Sequence, residues 1–201
     1  RLVWLLFQDV PNRTRDFLWR EETGGSYLIL SSSPPVDRNG LFELETKPFE
    51  PALQAGDRLR FALRANAVVA RKAAADAAAA AGRVRGKRVD VVMDALHALP
   101  PTERVARRRE LTDAAARTWL EAQGSKAGFK PATLTVAAYS RIDVADRARP
   151  QRRQRAGIAV LDLEGTIDVT DPALFLDRLG QGFGAAKAFG CGLMLIRRAR
   201  S

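Results

Sequence analysis

Residues 180–198 read GQGFGAAKAFGCGLMLIRR, with glycines at 180, 182, 184, 190 and 192 arrayed around Lys187. Glycine tolerates backbone angles and close approaches that a Cβ forbids, so a cluster this dense lets main-chain N–H groups reach a phosphate or another backbone. The familiar nucleotide loops do not fit it. A Rossmann loop or a P-loop lies between a strand and a long helix with further strands beyond, and here only 193–196 remains before a basic tail. The loop therefore closes a fold.

Working outward from it, 192–197 reads as the last strand, and Asp171-Pro172 matches a capped helix start with proline at the first helical position, giving a helix over 171–179. The segment GIAVLDLEGTIDV, 157–169, reads as strand that turns at Glu164-Gly165, and 134–141 as another strand. Before these, Pro100-Pro101 stops a short helix over 89–99. Thr102 then caps a helix reaching 123, with Leu111, Ala115, Trp119 and Ala122 on one stripe and Gly124 ending it. The clearest strand spans 57–69, where Leu59, Phe61 and Leu63 alternate with Arg58, Arg60, Ala62 and Arg64. Its cationic face suits ordinary solvated arginines and RNA contact equally well. Nearer the start, 16–22 and 26–31 form a hairpin about Gly24-Gly25, and Pro34-Pro35 and Asn39-Gly40 punctuate a loop. The chain opens RLVWLLF, already inside an apolar helical pattern with neither methionine nor cap, so a preceding segment is expected. This order of strands and helices predicts an α+β fold with antiparallel sheets.

Composition changes at 71–88, RKAAADAAAAAGRVRGKR, an alanine run that favours helix but buries little. It divides the chain into a first domain over 1–70, a basic connector over 71–88 and a second domain over 89–201. Lys and Arg number 33 against 23 acids, a net charge of +10, and the pI is near 10.7. That balance points to nucleic acid before membrane or acidic protein, although an arginine- and alanine-rich genome would produce it too. The basic residues concentrate in 141–155, RIDVADRARPQRRQR, with six arginines against Asp143 and Asp146. Between paired strands such an excursion can lie along a structured nucleic acid, or be a solvated loop. No apolar run approaches the ~20 residues of a membrane helix and there is no secretory signal, so a cytoplasmic protein is expected.

Chemistry is sparsely written. One Cys and one His cannot make a zinc site, no HExxH or paired-carboxylate motif occurs, and no cofactor is called for. His97, in VVMDALHALP, reads as an exposed helix-end residue rather than a catalytic base. Tyr27 and Tyr139 read as sheet residues. Metal-independent RNA cleavage needs a base for the 2′-hydroxyl, an acid for the leaving 5′-oxygen and cations for the phosphorane; the chain supplies the cations.

GQGFGAAKAFGCGLMLI resembles the C-terminal glycine-rich loop of the CasE family, the RNA-processing endoribonucleases of type I-E CRISPR systems. LVWLLF with RDFLWR at the start, KPFEPAL from Lys47, GDRLRFALRAN over 56–66 and GKRV from Gly86 resemble the same family in the same order. The likeness runs nearly end to end, and the ordered combination is far more specific than the loop alone.

That resemblance implies two tandem ferredoxin-like, or RRM-like, domains. It implies metal-independent cutting of the precursor CRISPR transcript at the base of each repeat hairpin, by attack of a 2′-hydroxyl on the adjacent phosphate, leaving a 2′,3′-cyclic phosphate and a 5′-hydroxyl. The enzyme would then remain on the 3′ hairpin as a subunit of the Cascade complex, beside other subunits including the backbone subunit. By the same resemblance Arg141, Arg147, Arg149, Arg152, Arg153 and Arg155 would enter the RNA stem, with Arg64 and the loop residues Gly182, Gly184, Lys187, Gly190 and Gly192 near bound RNA. The family's catalytic histidine is expected immediately ahead of Arg1, which leaves no catalytic residue in this chain. The family also continues with proline after the Arg-Ala-Asn of 64–66, where Ala67 stands here. Two alternatives compete: an RNA-holding subunit that never cuts, and a general RRM-like protein using Phe17, Trp19 or Phe61 as stacking aromatics.

Overall fold

A computed structural model describes residues 2–7, 14–71, 87–144 and 156–199. Its elements run β1 (Phe17–Glu21), β2 (Tyr27–Ser31), β3 (Arg58–Ala65), β4 (Val68–Arg71), β5 (Lys87–Asp90), α1 (Val91–His97), α2 (Arg108–Ala127), β6 (Phe129–Val144), β7 (Ala156–Val169), α3 (Pro172–Gln181) and β8 (Met194–Arg198). Short 3-10 segments lie at Leu2–Phe7, Thr23–Gly25 and Lys187–Phe189.

The period-two pattern of β3 sets the architecture. Leu59, Phe61, Leu63 and Ala65 are buried, and β3 pairs with β7 on one side and β8 on the other. The resulting four-stranded sheet has the order β6-β7-β3-β8 with every neighbour antiparallel. Followed along the chain, β3, α2, β6, β7, α3 and β8 trace the β-α-β-β-α-β path of a ferredoxin-like unit, with β4, β5 and α1 inserted after its first strand. Both helices cover one face of the sheet. Ala116, Trp119, Leu120 and Ala127 of α2 and Phe175 and Leu179 of α3 meet Leu59, Phe61, Leu63, Leu161, Leu163 and Ile167 in the main core. Each such large side chain withdrawn from water contributes about 1.5–3 kcal/mol. A smaller cluster joins Val3, Leu6, Phe7 and Phe17 beneath the β1–β2 hairpin, with the Phe7 and Phe17 rings stacked 4.4 Å apart. Among the described residues no helix is long and apolar enough to cross a membrane.

The α+β class with antiparallel sheets agrees with expectation, and several details do not. The expected division at 71–88 does not bound the sheet, because β3 from the first part is hydrogen-bonded between strands of the second. The expected single strand over 57–69 is two strands in different sheets. It breaks at Asn66, whose Nδ2 donates to the Ala159 carbonyl at 2.7 Å while its own carbonyl accepts from the Ala185 N–H. Beyond that point β4 pairs with β5, so 87–90, expected as connector and helix, is strand. Asp90 sets the helix start instead, accepting the N–H groups of Val92 and Met93 at 3.0 and 2.9 Å.

Thr102 does not cap α2. Residues 101–107 form turns, and the helix runs from Arg108 to Ala127, burying Ala116 while Ala122 stays exposed. Gly124 lies inside it: a Cβ there would stand 2.5 Å from the Phe129 carbonyl oxygen, so the glycine serves the close return of β6 rather than the helix end. For the same reason Gly165 marks no turn. β7 runs straight through it, and a Cβ would fall 2.1 Å from the Thr133 oxygen where β6 bulges. Most of the connector, 72–86, and the arginine-rich 145–155 lie outside the described residues.

Candidate nucleic-acid interface

Helix α3 begins where the Asp171 carboxylate accepts the Leu174 N–H at 3.1 Å with Pro172 behind it, and ends at Gly182. The chain then makes a closed loop. Phe183 is fully buried, its N–H donates to the Gly192 carbonyl at 2.9 Å, and the Gly192 N–H donates to the Arg64 carbonyl at 2.7 Å. The glycines are spent on this closure. Gly182, Gly184, Gly190 and Gly192 all have φ between 74° and 97°. A Cβ on Gly182 would meet Leu18 at 2.8 Å, on Gly184 the Asn66 oxygen at 2.7 Å, on Gly190 the Trp19 ring at 3.1 Å, and on Gly192 the Phe183 oxygen at 2.8 Å. The N–H groups of 182, 183, 185, 189 and 192 go to protein carbonyls. Of the two partners that such glycines permit, a phosphate or another backbone, these four meet backbone and core side chains. They pin the loop between β1 and the end of β3.

What the loop presents is Lys187. It starts the 3-10 turn Lys187–Phe189, entered through Ala186 at φ 54°. Burial holds the Lys187 ammonium below the usual lysine pKa, and the nearby charges of Arg178 and Arg15 push it the same way. Among the described residues none of these three cations is ion-paired with a carboxylate. Arg178 is held by neutral groups: Nη2 donates to Gln123 Oε1 at 3.1 Å, and the guanidinium lies 5.5 Å from the centre of the Phe183 ring. Among the described residues, three positive groups, from the approach to β1, from α3 and from the loop, thus lie close enough to depress the lysine without a carboxylate paired to any of them. Such an arrangement suits an anion.

The other candidates fare differently. Arg64 donates through Nε and Nη2 to both oxygens of Asp162, at 2.8 and 3.1 Å, and Arg58 does the same to Asp168 at 2.7 and 2.9 Å. The cationic face expected of β3 is therefore largely neutralised across the strand. Arg141 is exposed near the end of β6, and its guanidinium lies over Gly157, where a Cβ would come within 1.7 Å of Nε. Val144 pairs with Ala156 just beyond, while Arg147, Arg149, Arg152, Arg153 and Arg155 lie outside the described residues. Phe17 and Phe61 are buried and Trp19 packs on Gly190, so none of these aromatics is a stacking platform. His97 is exposed at the end of α1. The Tyr139 hydroxyl donates to Asp90 at 2.8 Å, and burial, with that bond behind it, raises its pKa.

Sequence reasoning passed over Arg15 and Arg178. Each stands beside an aspartate in a stretch of mixed charge, and only the fold shows that three separated segments bring their charges near one another.

Comparison with known proteins places the chain in a family. The CRISPR associated protein family matches residues 1–198. The CRISPR system Cascade subunit CasE of Escherichia coli is 28% identical over 96% of this chain and 87% of its own length. The CRISPR-associated endoribonuclease Cse3 of Thermus thermophilus is 33% identical over 75% of this chain and 60% of its own length. Among solved structures, Thermus thermophilus Cse3 bound to an RNA representing a pre-cleavage complex superposes with a TM-score of 0.58 at 27% identity, covering 90% of this chain and 78% of that one. The Escherichia coli Cas6e crystal structure shares the fold, with a TM-score of 0.64 at 22% identity over 98% of this chain and 89% of that one. From end to end, then, this chain belongs to the CRISPR-associated protein family, as a CasE-type member.

Proposed function

We propose that the chain binds the repeat hairpin of precursor CRISPR RNA, takes part in its cleavage, and stays on the 3′ hairpin as a subunit of a Cascade complex. The observation that carries this is the grouping of Arg15, Arg178 and Lys187 with no carboxylate paired to them among the described residues, on a fold whose relatives include an RNA-bound endoribonuclease and a Cascade subunit. Each cation in such a cluster can take a backbone phosphate, and their mutual repulsion is relieved when it does. Arg141, near the end of β6, adds to this basic surface, and by the family resemblance the arginines within 145–155 would contact the stem.

The cut is metal-independent attack of a 2′-hydroxyl on the adjacent phosphate. In this chain Lys187 and its two arginines hold RNA phosphates, and a cation placed at the reacting group would stabilise the charge that builds on it. The base is the histidine that the CasE family places ahead of Arg1. Two tandem ferredoxin-like domains, the second of them built on β3, β6, β7 and β8, would frame the RNA, in the cytoplasm.

The test is a labelled repeat hairpin incubated in excess EDTA with the full protein and, in parallel, with the chain from Arg1 onward. One cut at the stem base by the full protein, with binding alone by the shorter chain, supports the proposal. Binding without any cut by either makes this an RNA-holding subunit, and no binding by either removes the RNA assignment.

A further inference from the structure

Helix α3 has two unlike sides. Arg178 turns toward Gln123 and the glycine loop, while Leu176 and Asp177 turn into a groove of about 690 Å3 whose far wall comes from β2 and the 49–52 segment. Leu30, Phe49 and Leu176 contribute apolar surface, and among the described residues the charged ones lining it are Asp16, Glu50 and Asp177, with no Lys or Arg. On a chain of net charge +10 this is a local reversal of sign. Carboxylates at such a surface repel phosphate, so the groove is unsuited to RNA. It suits cations attached to something apolar. Phe49 stands 47% exposed, a large ring with an uncovered face.

Gly180 adds an independent sign. It lies in the last turn of α3, lines the groove, and is not in the left-handed region; a Cβ there would meet nothing within 4 Å. Glycine inside a helix costs about 1 kcal/mol relative to alanine. Neither backbone strain nor packing among the described residues calls for it. The space that the missing side chain leaves open belongs to the groove.

We propose that this groove docks a protein segment from a neighbouring subunit of the RNA-guided complex, one presenting a large apolar side chain to Phe49 and Leu176 with Lys or Arg beside it to meet Glu50 and Asp177. The inference rests on the reading of the chain as a Cascade subunit and adds where the contact is made. α3 then separates the two partners, with RNA on the Arg178 side and protein on the Asp177 side.

The full protein is tested in two variants, Gly180→Leu, which fills the groove floor, and Phe49→Ser with Glu50→Lys, which removes the exposed ring and reverses a charge. Two quantities are read: affinity for the repeat hairpin, and affinity for the remaining subunits of the complex, immobilised free of hairpin RNA. Both variants should lose about 10-fold or more toward the subunits, as truncation of an interface anchor does. Hairpin affinity should stay within about twofold, because neither change touches the cation cluster. Unchanged subunit affinity in both variants overturns the proposal. So does a parallel loss of hairpin affinity, which makes the groove part of the RNA surface, and so does loss of wild-type self-association in its place, which makes the occupant a second copy. Groove-dependent binding to the subunits by a protein that binds no hairpin would support the docking site and remove the RNA assignment instead.

Discussion

Strand β3 and the glycine loop both carry basic residues, yet they handle charge in opposite ways. On β3, Arg58 and Arg64 each clasp a carboxylate on the neighbouring strand β7, so two arginines that look like a cationic face present little net charge. At the loop, Lys187 and Arg15 lie near Arg178, which is held by a ring and amide groups, and among the described residues none of the three is paired with a carboxylate. The lesson is that capacity for an anion follows from pairing rather than from the number of cations. Cross-strand register decides the first case, since residues 162 and 168 fall opposite 64 and 58. Chain closure decides the second.

Removing the loop's charges is the strongest way to break this contrast. Arg15→Ala, Arg178→Ala and Lys187→Ala together should weaken hairpin binding on the order of 100-fold at moderate salt and flatten the log–log salt dependence by about 2–3. A gel-shift series across salt concentrations reads both, and an unchanged slope would mean that the cluster touches no phosphate. The pH dependence sharpens the same point. Lys187 is held below the ordinary lysine pKa, so its share of the affinity is present while the ammonium is charged and disappears as pH rises through that depressed value, earlier than for an exposed lysine contact. In Lys187→Arg this early loss should vanish.

Next in size is the loop's closure. Gly192→Ala puts a Cβ at φ 97° and 2.8 Å from the Phe183 oxygen, which should cost about 2 kcal/mol or more of stability. Thermal melting checks it, and an unmoved midpoint would show that the loop is not pinned as described. Smaller still is Arg64→Ala, expected to lower stability by about 1 kcal/mol through the stranded Asp162 carboxylate while leaving hairpin affinity nearly constant. The counterpart Asp162→Asn frees Arg64 and should raise affinity a few-fold. If Arg64→Ala instead weakens RNA binding as much as the loop variants do, the contrast between the two regions collapses.

Much of the fold was legible because its signals are local. The alternation of β3 marked a half-buried strand, Asp171-Pro172 marked a helix start, and both stand. Long-range pairing was not legible. Nothing in 58–65 says that its partners lie about 100 and 135 residues later, and so the domain division fell at the compositional change in 71–88 instead of at the sheet's edge. Glycines misled for one physical reason. At 124 and 165 the residue answers to another segment's backbone, which periodicity cannot see, rather than to a helix end or a turn. The loop glycines are visible in sequence as a cluster; their partners, Leu18, Trp19, Asn66 and Phe183, come from three separate stretches and appear only once the chain is folded.

The smallest expected effect concerns His97. A general base must come within hydrogen-bond reach of the proton it takes, about 2.6–3.2 Å or through one water. His97 sits exposed at the end of α1, a helix that packs on α2 and β5, whereas the unpaired cations gather between α3, the loop and the approach to β1. Its neighbour Asp94 is already committed to Arg71, whose hydrogen bond holds that carboxyl below the usual range, and so it is not poised to orient an imidazole for catalysis. His97→Ala in the full protein should therefore leave the single-turnover cleavage rate within about twofold. A loss of orders of magnitude would place the reacting phosphate beside α1, and the charged loop would then hold a distant part of the RNA rather than the strand being cut.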